Sequence, residues 1–218
     1  MDELLKIKPD ILLEFRQSYV GPHMKRFGNM FRVSDCAGNY LRNRAAILEL
    51  RMMRCSQAVH SDMLMMGPYE KVENNAIQIV SCMFGVLQYS GRMEEMTEEL
   101  AQMAVFWLNF LKTHKTLLLE GRLEAYEPHL LYTWAKSTLG SECAVGVYAI
   151  DKCVRPDDVD TVYIANGCAG ERVLVEMEGE YSIRIFDCRG REVSCRTQAF
   201  DGIAALPIPS GGLAVLTR

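Results

Sequence analysis

The chain has 218 residues, enough for one large domain or two modest ones with a substantial hydrophobic core. Hydrophobic residues make up 49% and charged residues 24%, which excludes a disordered chain, a collagen-like repeat and a small disulfide scaffold. The formal net charge of −4 gives no electrostatic reason to expect nucleic acid or an anionic membrane as a partner.

Eight cysteines occur in the sequence, but no two have C-x-x-C spacing and no Cys/His set has zinc-finger spacing. We therefore expect no metal site. Residues 1–6 lack the basic start and apolar stretch of a signal peptide, and no apolar run approaches the ~20 residues that cross a membrane. We expect a cytoplasmic protein whose cysteines are small core side chains rather than disulfide partners.

The first 120 residues alternate short apolar runs with helical patterns. The runs predict strands over 11–15, 30–33, 57–60 and 85–87. Apolar residues at helical spacing predict helices over 40–55, 73–84 and 100–111. A strand followed by a helix, repeated in this way, predicts a parallel sheet.

From about residue 140 the apolar period changes from 3.6 to 2. This pattern predicts strands over 145–150, 161–165, 172–177, 181–186, 192–197 and 213–216, with turns at Gly179 and at Arg189-Gly190. Short alternating strands of this kind favour an antiparallel β-sandwich. The predicted organisation is an α/β unit over 1–120, a linker over 121–139 and a β domain over 140–218.

Polar residues collect at or just after the ends of the four predicted strands. They are Arg16 after the first, Arg32 and Asp35 at the second, His60 and Asp62 at the third, and Gln88 and Tyr89 at the fourth. In a βα barrel, substrates bind at the rim formed by the carboxyl ends of the strands. The competing interpretation is that strand ends are polar because they are exposed.

Three segments resemble α-galactosidases of glycoside hydrolase family 36, and they occur in the same order. They are Glu14–Pro22, Gly28–Cys36 and Ala58–Met65. The Arg32…Asp35 pair and the Asp-Met-Leu run at 62–64 are also similar to the related melibiase family 27. The resemblance covers residues 1–120 strongly, and the rest only by architecture.

The resemblance implies strands five to eight of a (β/α)8 barrel followed by an antiparallel β-sandwich domain. It implies release of terminal α-linked galactose with retention of configuration, which needs two carboxyl groups about 5 Å apart and no cofactor. Asp35 matches the general acid/base, with Arg32 beside it to hold a carboxylate. Asp62 and Met63 match a segment that contacts the sugar, and Arg16 follows a strand that carries recognition residues.

Two alternatives stay open for His60, which either contacts the sugar or is a buried histidine satisfied by the backbone. The chain's preference for galactose over another α-linked sugar is also open, because pocket contacts from barrel strands one to four would decide it. The helix carrying Arg42, Arg44, Arg51 and Arg54 is expected to expose a solvated basic face. Met65 and Met66 are expected in the core.

The family's nucleophile is an aspartate after barrel strand four, ahead of the segment that this chain matches. We therefore expect a truncated reading frame, a split gene or a fragment, or two chains that pair to close the barrel. The partner would be a missing N-terminal half-barrel or a second copy. Glu14 and Asp62 are candidates for a second carboxylate, with Asp62 favoured as a ligand of sugar hydroxyls. The alternative function is a non-catalytic carbohydrate-binding or split-enzyme assembly module.

Overall fold

A computed structural model describes residues 2–16, 21–53 and 58–218. The first part contains helices α1 Asp2–Ile7, α2 Tyr40–Met52, α3 Val72–Ser81, α4 Glu98–Thr113 and α5 Lys115–Glu120, and strands β1 Glu14–Phe15, β2 Met30–Arg32, β3 Ala58–Met65 and β4 Val86–Ser90. The four strands form a parallel sheet in chain order, β1-β2-β3-β4. The predicted α/β unit with a parallel sheet is confirmed. Gln57, assigned to the third strand, and residues 17–20 of the first matching segment lie outside the described residues.

The second part is built on one larger sheet. Its strands are β5 Arg122–Tyr126, β6 Trp134–Leu139, β7 Glu142–Val147, β8 Cys153–Val154, β9 Thr161–Asn166, β10 Val173–Phe186, β11 Glu192–Leu206 and β12 Leu213–Thr217. Their order is β11-β10-β12-β9-β7-β6-β5, with β8 beside β10. The sheet is mixed rather than purely antiparallel as predicted, because β7 pairs with β9, and β8 with β10, in parallel.

Two further sequence predictions differ from the structure. The segment 121–139, interpreted as a linker, contains β5 and β6 of the larger sheet. Gly179, predicted to be a hairpin turn, lies inside the 14-residue strand β10 opposite Phe200. Its φ of 101° is open to glycine without steric cost, so the strand continues through it. Glycine was therefore a poor boundary signal at this position.

Helices α2, α3, α4 and α5 pack directly on the larger sheet. One core cluster includes Leu48 of α2, Trp107 of α4 and Tyr163 of β9. The Trp107 indole also donates to the carbonyl of Gly211, over 3.1 Å. A second cluster of buried side chains, drawn from β6–β12, lies within the second part. The two parts therefore share a core.

The basic face predicted on α2 is only partly solvated, and Arg54, the last of its four arginines, lies outside the described residues. Arg44 is buried: its Nε and Nη2 both donate to the carbonyl of Leu131 at 3.1 Å, and its guanidinium lies 4.4 Å from the centre of the Tyr148 ring. Arg51 donates to the carbonyls of Phe84 and Leu118. Both arginines therefore tie α2 to neighbouring elements by binding backbone carbonyls.

The seven cysteines within the described ranges are free thiols, and four of them are buried as expected of core side chains, whereas Cys195 is exposed. Across 2–16, 21–53 and 58–218, no helix has the length and apolar character needed to cross a membrane.

Candidate functional site

The register of the parallel sheet brings three polar side chains onto one face. Glu14 on β1 pairs with Met30 on β2, which lies two residues before Arg32. Arg32 in turn pairs with His60 on β3. Residues two apart on a strand, and residues paired across strands, point to the same side. Phe31 and Val59 point to the other side and are buried. The face that carries Glu14, Arg32 and His60 is called the site face below.

Arg32 is the centre of the site. Its side chain is 8% exposed and lies within ion-pair distance of three carboxylates. It donates to Asp62, and its Nη2 donates to Asp35 Oδ1 at 2.9 Å. Its Nε lies 3.6 Å from Glu14 Oε1. A guanidinium presents five donors in a fixed fork, so one side chain can orient several carboxylates at once.

Asp62 is held rigidly. Its side chain is 3% exposed, and its Oδ2 accepts from the N–H of Cys36 at 2.5 Å. Its own N–H donates to Asn43 Oδ1 at 2.6 Å. Burial by itself would raise the pKa of Asp62, but the N–H groups of Cys36 and Met63 and the Arg32 charge outweigh burial and lower it. Asp62 is therefore a buried anion at neutral pH.

The sequence places Asp62 beyond the end of its strand, but the structure places it inside β3. The strand continues to Met65, with a register irregularity against β4 between His60 and Met63. Such an irregularity changes the direction of side chains along a strand. It allows Asp62 to be buried among polar partners while Leu64 still enters the core.

Asp35 occupies the loop between β2 and α2 and is open to solvent. Its side chain is 75% exposed, and Arg16 Nη2 lies 3.5 Å from its Oδ2. The loop is fastened on both sides: Gly38 N–H donates to the carbonyl of Met63 at 2.9 Å, and Asn43 Nδ2 lies 3.3 Å from the carbonyl of Cys36. An accessible carboxylate on a fixed loop is suited to proton transfer with a bound ligand.

His60 and Met63 extend the site along β3. His60 Nδ1 lies 3.9 Å from Glu14 Oε2, which connects it to the Arg32 group. Met63 is 44% exposed and Met65 is 52% exposed, whereas Leu64 between them is fully buried. The expectation that Met65 fills the core is therefore wrong, while Met66 is buried as expected.

The structure brings Arg16, Arg32, Asp35 and Asp62 into one ionic network, with His60 joined to it through Glu14. Sequence reasoning missed Asn43, a fully buried amide on α2 that bonds both the Asp35 loop and β3. Its signal in the sequence was weak, because Asn43 lies two residues from both Leu41 and Ala45 and therefore off the apolar face predicted for this helix. Among the described residues no group of three or more His, Cys, Asp or Glu side chains could hold a metal ion.

No protein-family model and no curated protein matches the sequence. Solved structures do match. The chain is similar to the galactosidase domain of the α-galactosidase–sucrose kinase AgaSK, at 16% identity and a TM-score of 0.54. It is also similar to two family 36 α-galactosidases from Geobacillus stearothermophilus, AgaA in complex with raffinose and AgaB, each at 14% identity and a TM-score of 0.50.

Each match covers 99% of this chain and 30% of the other, so the chain spans about a third of the length of the structures it matches. The predicted resemblance to family 36 α-galactosidases is confirmed at the level of the fold.

Proposed function

We propose that this chain carries the general acid/base side of a retaining α-galactosidase active site, as the C-terminal portion of a family 36-type enzyme. The observation that supports this most strongly is Asp35. Its carboxylate is exposed beyond the carboxyl end of β2, and Arg32 and Arg16 hold it at 2.9 and 3.5 Å. In this proposal β1–β4 correspond to barrel strands five to eight, and β5–β12 to the terminal β domain.

In the retaining reaction Asp35 donates its proton to the glycosidic oxygen as that bond breaks, and the leaving group departs as an alcohol. A second carboxylate forms a glycosyl-enzyme intermediate with the sugar carbon. Asp35 then takes a proton from water, which attacks the same carbon and releases the sugar. Arg32 orients Asp35, and the anionic Asp62 keeps Arg32 in place.

Neither of the other carboxylates on Arg32 suits the nucleophile. Asp62 is buried and saturated with donors, so a sugar carbon cannot reach it. Glu14 is directed between Arg32 and His60. We therefore assign the nucleophile to a partner segment that closes the barrel against β1 and β4, the two outer strands of the smaller sheet. That segment is an N-terminal half-barrel or is contributed by a second copy.

A second candidate function follows from the same observation. The chain alone would bind a galactoside through the more accessible Arg16 and His60 without cleaving it, because it supplies Asp35 but no nucleophile. The two candidates differ in whether turnover appears once a nucleophile is supplied.

The test is hydrolysis of 4-nitrophenyl α-D-galactoside by a hybrid in which this chain replaces the region of AgaA that it matches. We expect turnover by the hybrid and a loss of about 10²- to 10⁴-fold in kcat for its Asp35→Asn variant. Asp201→Asn, an exposed aspartate on β11, is the matched control and should keep the activity. A folded hybrid with equal activity in the Asp35→Asn and control variants would contradict the assignment. Binding without turnover in the folded hybrid would favour the second candidate.

A further inference from the structure

Two methionines project from β3 onto the site face: Met63, which the resemblance implies contacts the sugar, and Met65, which was expected in the core. Leu64 and Met66 alternate with them and are buried, so Met63 and Met65 share one side of the strand. On β4 they pair with Gln88 and Ser90, whereas Leu87 and Tyr89 pack toward the core. Met63 and Met65 together are called the methionine platform below.

The loop that carries Asp35 lies against this platform. Gly38 N–H bonds the carbonyl of Met63. A Cβ at Gly38 would lie 3.3 Å from Met65 Cγ, so Met65 contacts the loop three residues beyond Asp35. Gly38 has a φ of 70°, the left-handed conformation that favours glycine, and the lack of a side chain leaves Met65 uncovered.

We propose that the methionine platform binds the leaving group of the substrate and selects an apolar, preferably aromatic, one. The inference rests on the proposed role of Asp35. A general acid must lie beside the oxygen that joins sugar and leaving group. Exposed side chains next to the loop that carries Asp35 are therefore placed to contact the leaving group.

The chemistry of the platform is opposite to that of the rest of the site. Arg16, Glu14 and His60 offer charges and hydrogen bonds, which suit the hydroxyl groups of a sugar. Met63 and Met65 offer flexible thioethers, which have almost no hydrogen-bonding capacity but pack well against irregular apolar surfaces and aromatic rings. An aromatic leaving group gains from covering them, whereas a small alcohol such as methanol is too short to do so.

The test uses the whole chain labelled with ¹³C at the methionine methyl groups, titrated with 4-nitrophenyl α-D-galactoside and with methyl α-D-galactoside. Met63→Leu and Met65→Leu identify the two signals. We expect the nitrophenyl glycoside to shift both signals and to bind about fivefold to tenfold more tightly than the methyl glycoside. Met65→Gln should remove that preference and leave the affinity for the methyl glycoside unchanged.

Met52→Gln is the matched control, since Met52 is an exposed methionine at the last residue of α2, at the opposite end of that helix from the Asp35 loop, and it should keep the preference. Equal weakening of both glycosides by Met65→Gln would overturn the proposal, because Met65 would then contact the sugar itself. The absence of any shift at both methionines would overturn it as well. Turnover by the hybrid tests Asp35 independently, so an active, Asp35-dependent hybrid with no platform effect would reject this inference alone.

Discussion

Arg32 on β2 and Asp62 on β3 form an ion pair that joins neighbouring strands with both side chains shielded from solvent. The same guanidinium reaches the exposed Asp35 on the other side. The proposed acid/base is therefore positioned by a buried anion that itself never meets the substrate's leaving oxygen. The site therefore combines a buried ion pair with the exposed carboxylate of Asp35.

Asp62→Asn should destabilise the fold, because it leaves a buried guanidinium without its closest counter-charge. The expected loss is about 3 kcal/mol of unfolding free energy, measured by urea denaturation. Asp35→Asn removes an exposed partner of the same arginine and should cost less than about 1 kcal/mol. Equal losses in the two variants would show that the Arg32–Asp62 pair is not the stabilising one.

The fold should lose stability in acid partly through Asp62. Its pKa is lower in the folded state than the ordinary value of about 3.9, so the folded state binds fewer protons there than the unfolded state. This contribution is complete above the unfolded pKa and disappears as the pH falls through the folded pKa. Unfolding free energy measured from pH 6 to pH 2 should fall less steeply in Asp62→Asn than in the wild type.

Asp157 provides a comparison in the second part of the chain. Burial would raise the pKa of Asp157, but Lys136 and Thr138 bond it and lower it. In Asp157→Asn the unfolding free energy should therefore also fall less steeply between pH 6 and pH 2. This effect should add to that of Asp62→Asn, because the two aspartates share no partner. Identical slopes for the wild type and both variants would contradict this account of acid unfolding.

Asn43→Ala should loosen the connection between the Asp35 loop and β3. The variant leaves the N–H of Asp62 without its buried partner and removes one of two donors to the carbonyl of Cys36, at a cost of about 2 kcal/mol. Hydrogen exchange should show faster exchange of the Asp62 amide. The control is Asn74→Ala, an exposed asparagine on α3, which should leave that amide unchanged. Unchanged exchange in Asn43→Ala would reject the positioning role.

Two glycines allow backbone strain to be separated from steric clash. Gly211 and Gly202 both have positive φ, 68° and 98°, so alanine is strained at either position. A Cβ at Gly211 would lie 2.7 Å from the Ala76 Cβ. A Cβ at Gly202 would have no neighbouring heavy atom within 4 Å. Gly202→Ala should cost about 1 to 2 kcal/mol, and Gly211→Ala at least about 1 kcal/mol more. Thermal unfolding of the two variants gives the comparison, and equal shifts would contradict it.

The parallel sheet was predictable because buried strands leave continuous apolar runs between amphipathic helices. The length of β3 was not, because Ser61 and Asp62 interrupt the apolar run although both are buried by specific partners, Asp62 by Arg32 and Cys36. The alternation that exposes Met65 depends on the irregularity at Asp62. The expectation placed Met65 in the core because methionine commonly fills gaps there, which takes no account of the direction of the strand.

The sequence allowed the residues of the ionic network to be predicted, but not which of them are buried and which are exposed. Arg16, Arg32, Asp35 and Asp62 were all identified as site residues, since each lies near the end of a predicted strand. Their burial separates them into a buried pair and an exposed pair, and burial depends on long-range packing. Arg44 and Arg51 show the same limit. Their charge predicts exposure to solvent, but their guanidinium groups donate hydrogen bonds to backbone carbonyls of segments distant in the sequence.

The core shared by the two sheets determines how the chain can be divided. Trp107 of α4 and Leu118 of α5 lie in one cluster with Ala144 and Tyr163 of the larger sheet. A polypeptide ending after α5 would expose these apolar side chains to water and would aggregate rather than persist as an independent half-barrel. Heating the whole chain should accordingly produce one calorimetric peak. The larger sheet therefore supplies part of the core that the smaller sheet and its helices need, and any shortened version that folds must keep it.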